Sequence, residues 1–201
     1  LEDTREFVPL DDNRMPTLQG KYKVPHFDGK GEADKYFKEA GVPTTFLRAS
    51  FYWDNLIYFG SGPKKGPDGK LYLTFPLDDK KMAGIASEDI GKCAYGIFKR
   101  GKELIGKTVG IAGEHLTGQQ MADALSTAFA EPVRYQPPTP AQFRGFGFPG
   151  AEDLGNMFQF YADFESDVCA RRNLAESRAL NPDLQTFAQW LEANKSRIPL
   201  A

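Results

Sequence analysis

The sequence predicts an α/β fold with a ligand crevice at the end of a short buried strand, and three observations carry that reading. Phe27, Ala33, Phe37 and Ala40 fall close to one helical stripe, and Gly41 follows where a glycine that closes a helix belongs. Thr44 to Ala49 is β-branched and apolar, with Val42-Pro43 keeping its entry extended. Lys107 to Ala112 reads as a second strand, parallel to the first. A helix packed on a buried strand whose C-terminal end runs into a loop is how open α/β sheets build a ligand crevice. Here that loop is Ser50-Phe51-Tyr52-Trp53-Asp54-Asn55, so function is to be sought where Lys30 and residues 50–55 meet.

Composition narrows the function classes. A chain of 201 residues with 41% hydrophobic and 26% charged residues is an ordinary globular protein. At this length it is expected to bury roughly 70% of its unfolded surface. The net charge of −2 and the lack of a basic stripe argue against a nucleic-acid surface. No run approaches the ~18 apolar residues of a membrane span, and no leader pattern opens the sequence. Cys93 and Cys169 lie far apart without metal-ligand spacing and read as reduced, buried thiols of an intracellular protein. Nowhere does a strand run into GxGxxG or GxxGxxG; the glycines of Gly110-Ile111-Ala112-Gly113 are not spaced to cradle a phosphate.

The remaining elements follow from local chemistry. Leu1 to Lys23 is mostly polar and reads as a surface loop. Gly60 to Leu77 reads as a hairpin turning at Gly66-Pro67-Asp68-Gly69-Lys70, with Lys64, Lys65, Lys70, Lys80 and Lys81 as a solvated rim. Ser87 is the expected cap of a helix whose stripe is Ile90, Ala94, Ile97 and Phe98, with Asp89 as first-turn helix chemistry and not a catalyst. Thr117 caps a further helix with Met121, Ala124, Leu125, Ala128 and Phe129 inward, and Glu114 to Gln120 leads into it. Val133-Arg134-Tyr135 is a short edge strand stopped by Pro137-Pro138. Helical spacing returns from Ala151 through Leu154, Met157, Phe158 and Tyr161, where aromatic density fits core packing, a lid over the pocket, or a protein-binding face. A last amphipathic helix from Leu180 to Leu191 is anchored by Phe187, Trp190 and Leu191. His115 has no ligand partner beyond Glu114, and no metal site is expected.

Four stretches closely resemble one family. His26-Phe27-Asp28-Gly29-Lys30-Gly31, Gly41-Val42-Pro43, Tyr52-Trp53-Asp54-Asn55 and Gly145 to Ala162 resemble the NmrA-like proteins, atypical members of the short-chain dehydrogenase/reductase group. The resemblance spans nearly the whole chain and is most specific at His26–Asn55 and Phe146–Tyr161. It implies the C-terminal part of a Rossmann-type NAD(P)-binding fold joined to a smaller α+β substrate- or partner-binding subdomain, with residues 1–60 in the first and 61–201 in the second. It also implies that the dinucleotide loop lies upstream, this chain being the C-terminal portion of a longer protein.

The dehydrogenase group carries Tyr-x-x-x-Lys on the first helix, with phenol and ammonium one turn apart on one face. Here the pair is His26 and Lys30. By resemblance Lys30 binds the nicotinamide ribose, and His26 stands where the catalytic phenol would be; histidine can act as a general acid near neutral pH. The bland alternative is a helix-start His26 and a solvated Lys30. Likewise Ser50, Phe51, Tyr52, Trp53, Asp54 and Asn55 are expected to line the cofactor or substrate pocket, against the alternative that the aromatic residues among them are core. Two functions follow. The first is an NADP(H)-binding, redox-responsive sensor that lacks the usual catalytic tyrosine and acts through a protein partner or a second copy of itself. The second is an NADPH-dependent atypical reductase of a quinone, enone or other small carbonyl compound. Neither involves nucleic-acid readout or a membrane, and the expected location is cytoplasmic, with the nucleus as a further site.

Overall fold

The computed structural model describes residues 2–200. Helix α1 (Pro25–Glu39) begins at a proline, whose missing N–H would have no helical partner anyway. It ends before Gly41, whose φ of +66° is the left-handed closure expected there. The chain then forms β1 (Phe46–Arg48), breaks at Ala49-Ser50 and resumes as β2 (Phe51–Tyr52).

That break is a change of partner. Strand β1 pairs in parallel with β6 (Thr108–Gly110), Phe46 opposite Thr108, which is the pairing expected from sequence. Strand β2 pairs in parallel with β5 (Lys81–Ile85), Phe51 opposite Gly84, and β5 pairs antiparallel with β7 (Glu114–Thr117). Ser50 sits where the line of strand leaves one neighbour for the other, and its hydroxyl donates to the Ile111 carbonyl at 2.6 Å. A third small sheet joins the expected hairpin, β3 (Lys64–Lys65) and β4 (Leu71–Leu73), to β8 (Val133–Tyr135) at its edge. The hairpin turn closes with Gly66 N–H on the Lys70 carbonyl at 2.8 Å.

The other helices are α2 (Asn55–Tyr58), α3 (Ser87–Arg100), α4 (Gly118–Phe129), α5 (Pro140–Arg144), α6 (Ala151–Asp163), α7 (Glu165–Ala170), α8 (Leu174–Leu180) and α9 (Phe187–Asn194). Thr117 caps α4 as predicted: its hydroxyl accepts from Gln120 N–H at 3.1 Å, and the Gln120 side chain accepts from Thr117 N–H at 2.9 Å. A large core runs through Phe27, Phe51, Trp53, Leu125, Phe160 and Trp190, and a smaller one behind α3 holds Ile85, Cys93, Ile97 and Leu180. Both cysteines are free thiols, and burial, with Asp89 nearby, pushes that of Cys93 up to about 11.

Five expectations are corrected. Only the first turn of α1 is buried, at Phe27 and Asp28; Phe37 is 51% exposed and Ala40 is exposed too. Periodicity records that apolar side chains align, not that anything lies opposite them. On α3, Cys93 and Ile97 define the inner face, one turn apart, and Phe98, ~100° further round, points to solvent. Residue 87 is not the cap of α3; Ala86 holds that position, and Ser87 N–H donates to Asp54 Oδ2 at 2.8 Å.

The segment before α1 is no simple surface loop. Glu2, Thr4, Val8, Met15 and Lys23 are buried, while Leu1 lies outside the described residues. Asp28 organises this segment by accepting from Thr4 N–H at 2.7 Å, Thr4 Oγ1 at 2.6 Å, Lys23 N–H at 2.8 Å and Val24 N–H at 3.1 Å. Four donors on a carboxylate offset the cost of burying it. Strand β7 was also unexpected, since its residues read as an approach to α4. So short a strand exists because β5 pairs with it, not through its own propensity.

Candidate functional site

A cavity of about 800 Å³ opens where the β1–β2 break meets the first turns of α1. Sequence-distant segments build its walls. From α1 come His26, Phe27 and Lys30, and from the break and α2 come Ser50, Phe51, Tyr52 and Asn55. The opposite wall is Phe143 with Phe146 and Phe148 on the α5–α6 connection, then Met157, Phe158 and Tyr161 on α6. Phe75 and Phe158 stack at 5.2 Å and hold the floor, with Phe51 edge-on to Phe75 at 5.4 Å. The second aromatic block thus serves as both core and pocket wall: Phe158 is buried, whereas Phe146 and Phe148 are exposed at the mouth.

Of the eight residues singled out from sequence, six line this cavity: His26, Lys30, Ser50, Phe51, Tyr52 and Asn55. The other two, Trp53 and Asp54, do not. Trp53 points the opposite way, 1% exposed and packed on Phe187 at 5.3 Å and Trp190 at 6.3 Å. Asp54 spends its carboxylate on the N-terminus of α3. Both lie in the turn between β2 and α2, where the chain changes direction and no strand or helix period says which way a side chain faces.

Among the polar groups on its walls, three bear on the chemistry. The Nδ1 atom of His26 lies 2.7 Å from Oδ2 of Asp153 in the first turn of α6, and the other carboxylate oxygen, Oδ1, is buried with no partner among the described residues. Lys30, one turn beyond His26, makes no ion pair or side-chain hydrogen bond among the described residues. Tyr161 is 2% exposed and lines the cavity, and its hydroxyl has no hydrogen-bond partner among the described residues. Burial raises its phenol well above the ordinary value, more than the nearby charge of Arg172 lowers it, so the group stays protonated.

Sequence reasoning missed Asp153 and Phe75 as parts of the site and read Tyr161 as one residue of an apolar stripe. The density of aromatic residues around Tyr161 was the available signal. Asp153 carried none, because an acidic residue in a first helical turn is ordinary macrodipole chemistry. Among the described residues no group of three or more His, Cys, Asp or Glu is arranged to hold a metal ion. Nor is any helix among them long and apolar enough to cross a membrane.

The pattern of the NmrA-like family matches residues 6–191. An NmrA-like family domain-containing oxidoreductase of Aspergillus flavus is 29% identical over 155 residues, covering 71% of this chain and 46% of that protein. An NAD(P)H azoreductase of Xenophilus azovorans is 29% identical over 178 residues, 85% of this chain and 59% of that protein. The chain thus spans about half the length of these relatives. Among solved structures, NmrA, a negative transcriptional regulator in complex with NADP, superposes with a TM-score of 0.69 at 21% identity over 96% of this chain and 61% of its own. The Citrobacter sp. triphenylmethane reductase complexed with NADP(H) does so with a TM-score of 0.65 at 16% identity over 83% and 59%. At such identities the superpositions establish a shared Rossmann-like α/β architecture. With a family pattern that covers most of its length, the chain belongs to the NmrA-like family.

Proposed function

We propose that the protein is an atypical NADPH-dependent reductase whose flat acceptor, a quinone, enone or similar carbonyl compound, lies in the aromatic cavity. The observation that carries this reading is the His26–Asp153 pair, 2.7 Å apart, with His26 on the wall of that cavity and Lys30 one turn away. Aromatic walls suit a planar conjugated molecule. An unpaired ammonium and the Asn55 amide fit the ribose and carboxamide of a nicotinamide, and NADP(H) or NAD(P)H stands in the names of several relatives and neighbours. When bound, NADPH would supply the hydride and become NADP⁺, and His26 would supply the proton from Nε2, so that the two add across the acceptor. Tyr161 is the poorer acid because burial holds its proton, so its part is to donate a hydrogen bond to the acceptor oxygen. Residues 1–60 then belong with the cofactor side and 61–201 with the substrate side.

A second reading, a redox sensor that binds NADP(H) without turning over, is favoured by one observation: residue 26 is not tyrosine. The test is oxidation of NADPH by the full-length protein with a panel of quinones and enones, alongside titration of NADPH and NADH. The reductase reading expects turnover that falls by roughly 10²–10⁴-fold in His26→Ala, the range for loss of a general acid. Lys30→Ala is expected to weaken NADPH binding about tenfold or more, as loss of a charged hydrogen bond does. Tight binding with zero turnover across the panel would replace the reductase by the sensor. Failure to bind any nicotinamide cofactor would remove both.

A further inference from the structure

We propose that Asp153 is a positioning residue for His26, fixing the ring's tautomer and aiming Nε2 at the cavity. This rests on the reductase reading for its catalytic consequence, but the tautomer can be read without any turnover. The argument begins with the carboxylate. An ionised Asp153 can only accept, so at 2.7 Å the neutral ring must carry its proton on Nδ1. Nε2 then holds the lone pair when the ring is neutral and the transferable proton when it is charged. It has no hydrogen-bond partner of its own among the described residues, and His26 stands on the cavity wall.

The geometry also argues against a merely helical role for Asp153. Helix α6 begins at Ala151 behind Gly150 with no side-chain cap, and the Asp153 carboxylate makes its one hydrogen bond among the described residues to His26 instead of to a backbone N–H of the helix end. Of its two oxygens one is on His26, and the other is buried without a partner. Leaving a carboxylate oxygen unpaired away from water is unfavourable, and stability alone gives no reason to keep it. Glu152, beside it in the same first turn, offers the same charge to the helix dipole from an exposed position.

The decisive variants are Asp153→Asn, Asp153→Glu and the control Glu152→Gln in the full-length protein. Asparagine can either accept from Nδ1–H or donate to a bare Nδ1, so the tautomer is no longer imposed. With ¹⁵N-labelled histidine at a pH where the ring is neutral, the wild-type His26 signals should report the proton on Nδ1, and Asp153→Asn should report a mixture or the Nε2 form. With NADPH and a quinone that the wild type reduces, Asp153→Asn should lower kcat on the order of 10²-fold while KM for the quinone moves less than about threefold. Asp153→Glu should recover part of that loss, and Glu152→Gln should leave both readouts unchanged. An Nδ1 tautomer that persists in Asp153→Asn overturns the proposal, as does an equal loss of kcat in Glu152→Gln. If the wild type turns over no acceptor, the reductase reading fails alone, and the nitrogen signals still decide whether Asp153 sets the ring.

Discussion

Two depressions of similar size share α1 as a wall, and their contrast separates a site from a groove. One, about 740 Å³, is lined by charged groups including Arg5, Asp34, Lys38 and Arg48; the other is the aromatic cavity of about 800 Å³. In the polar groove several of the charges are closed on one another. Arg5 pairs with Asp3 at 2.6 Å and Glu32 at 2.9 Å, Arg48 pairs with Asp34, and the Lys38 ammonium lies over the ring of Phe46 at 5.2 Å. In the aromatic cavity Lys30, the Tyr161 hydroxyl and Nε2 of His26 are left without protein partners among the described residues. Volume therefore does not discriminate between the two. What does is the setting: in the cavity a carboxylate-held imidazole and the buried, unpartnered phenol of Tyr161 stand among aromatic walls, whereas the groove's uncommitted charges are exposed to water.

The largest effect expected from breaking this arrangement is at the groove's inner end. Arg172 is fully buried, held by Glu2 through Nη1 to Oε1 at 2.8 Å and Nη2 to Oε2 at 2.8 Å, and it also donates to the Ala49 carbonyl just before the cavity loop. Burial by itself raises the Glu2 carboxyl, but the hydrogen bonds and charge of Arg172 outweigh it and leave the group below its ordinary value. Glu2→Gln leaves Arg172 charged and unpaired, at a cost of roughly 3–5 kcal/mol by denaturant unfolding at neutral pH. A carboxylate whose pKa is lower folded than unfolded stabilises the fold above its unfolded value and loses that effect as the pH falls through the folded value. The wild-type and Glu2→Gln stabilities should therefore converge in acid, and a gap that stays constant with pH would assign the effect to packing.

A smaller change sharpens the other side of the comparison. Gly84 lies on β5 directly against Trp53, where an added Cβ would collide with the indole nitrogen. Gly84→Ala should cost about 1–3 kcal/mol through overpacking and disturb the cavity loop from behind. The signature is a lower unfolding midpoint with altered Trp fluorescence. An unchanged midpoint would mean that the loop is free to shift. The smallest effect is expected at Arg48→Ala, which opens a partly exposed ion pair of the groove and should cost no more than about 1 kcal/mol. If cofactor binding also failed in Arg48→Ala, the groove and not the cavity would be the site.

Much of this was legible locally. Caps and turns depend on residues within about four positions, so Gly41, Thr117 and the Gly66 to Lys70 turn could be read from the sequence alone. His26 and Lys30 could likewise be put on one helical face, being four apart. What failed was any inference about what lies opposite a face. Phe37 and Phe98 obey helical spacing and meet solvent, while Trp53 sits beside Tyr52 and turns away from the cavity.

By itself the sequence determined the α/β pattern, the parallel pairing of β1 with β6, the helix carrying His26 and Lys30, and the family. Tertiary structure alone decided that the strand line changes partner at Ser50, that Glu2 reaches Arg172, and that Asp153 meets His26 across 127 residues of chain. The physical reason is the range of the forces involved. Propensity and capping act within one or two turns, whereas a contact between distant segments exists only when the whole core has paid the entropy of bringing them together.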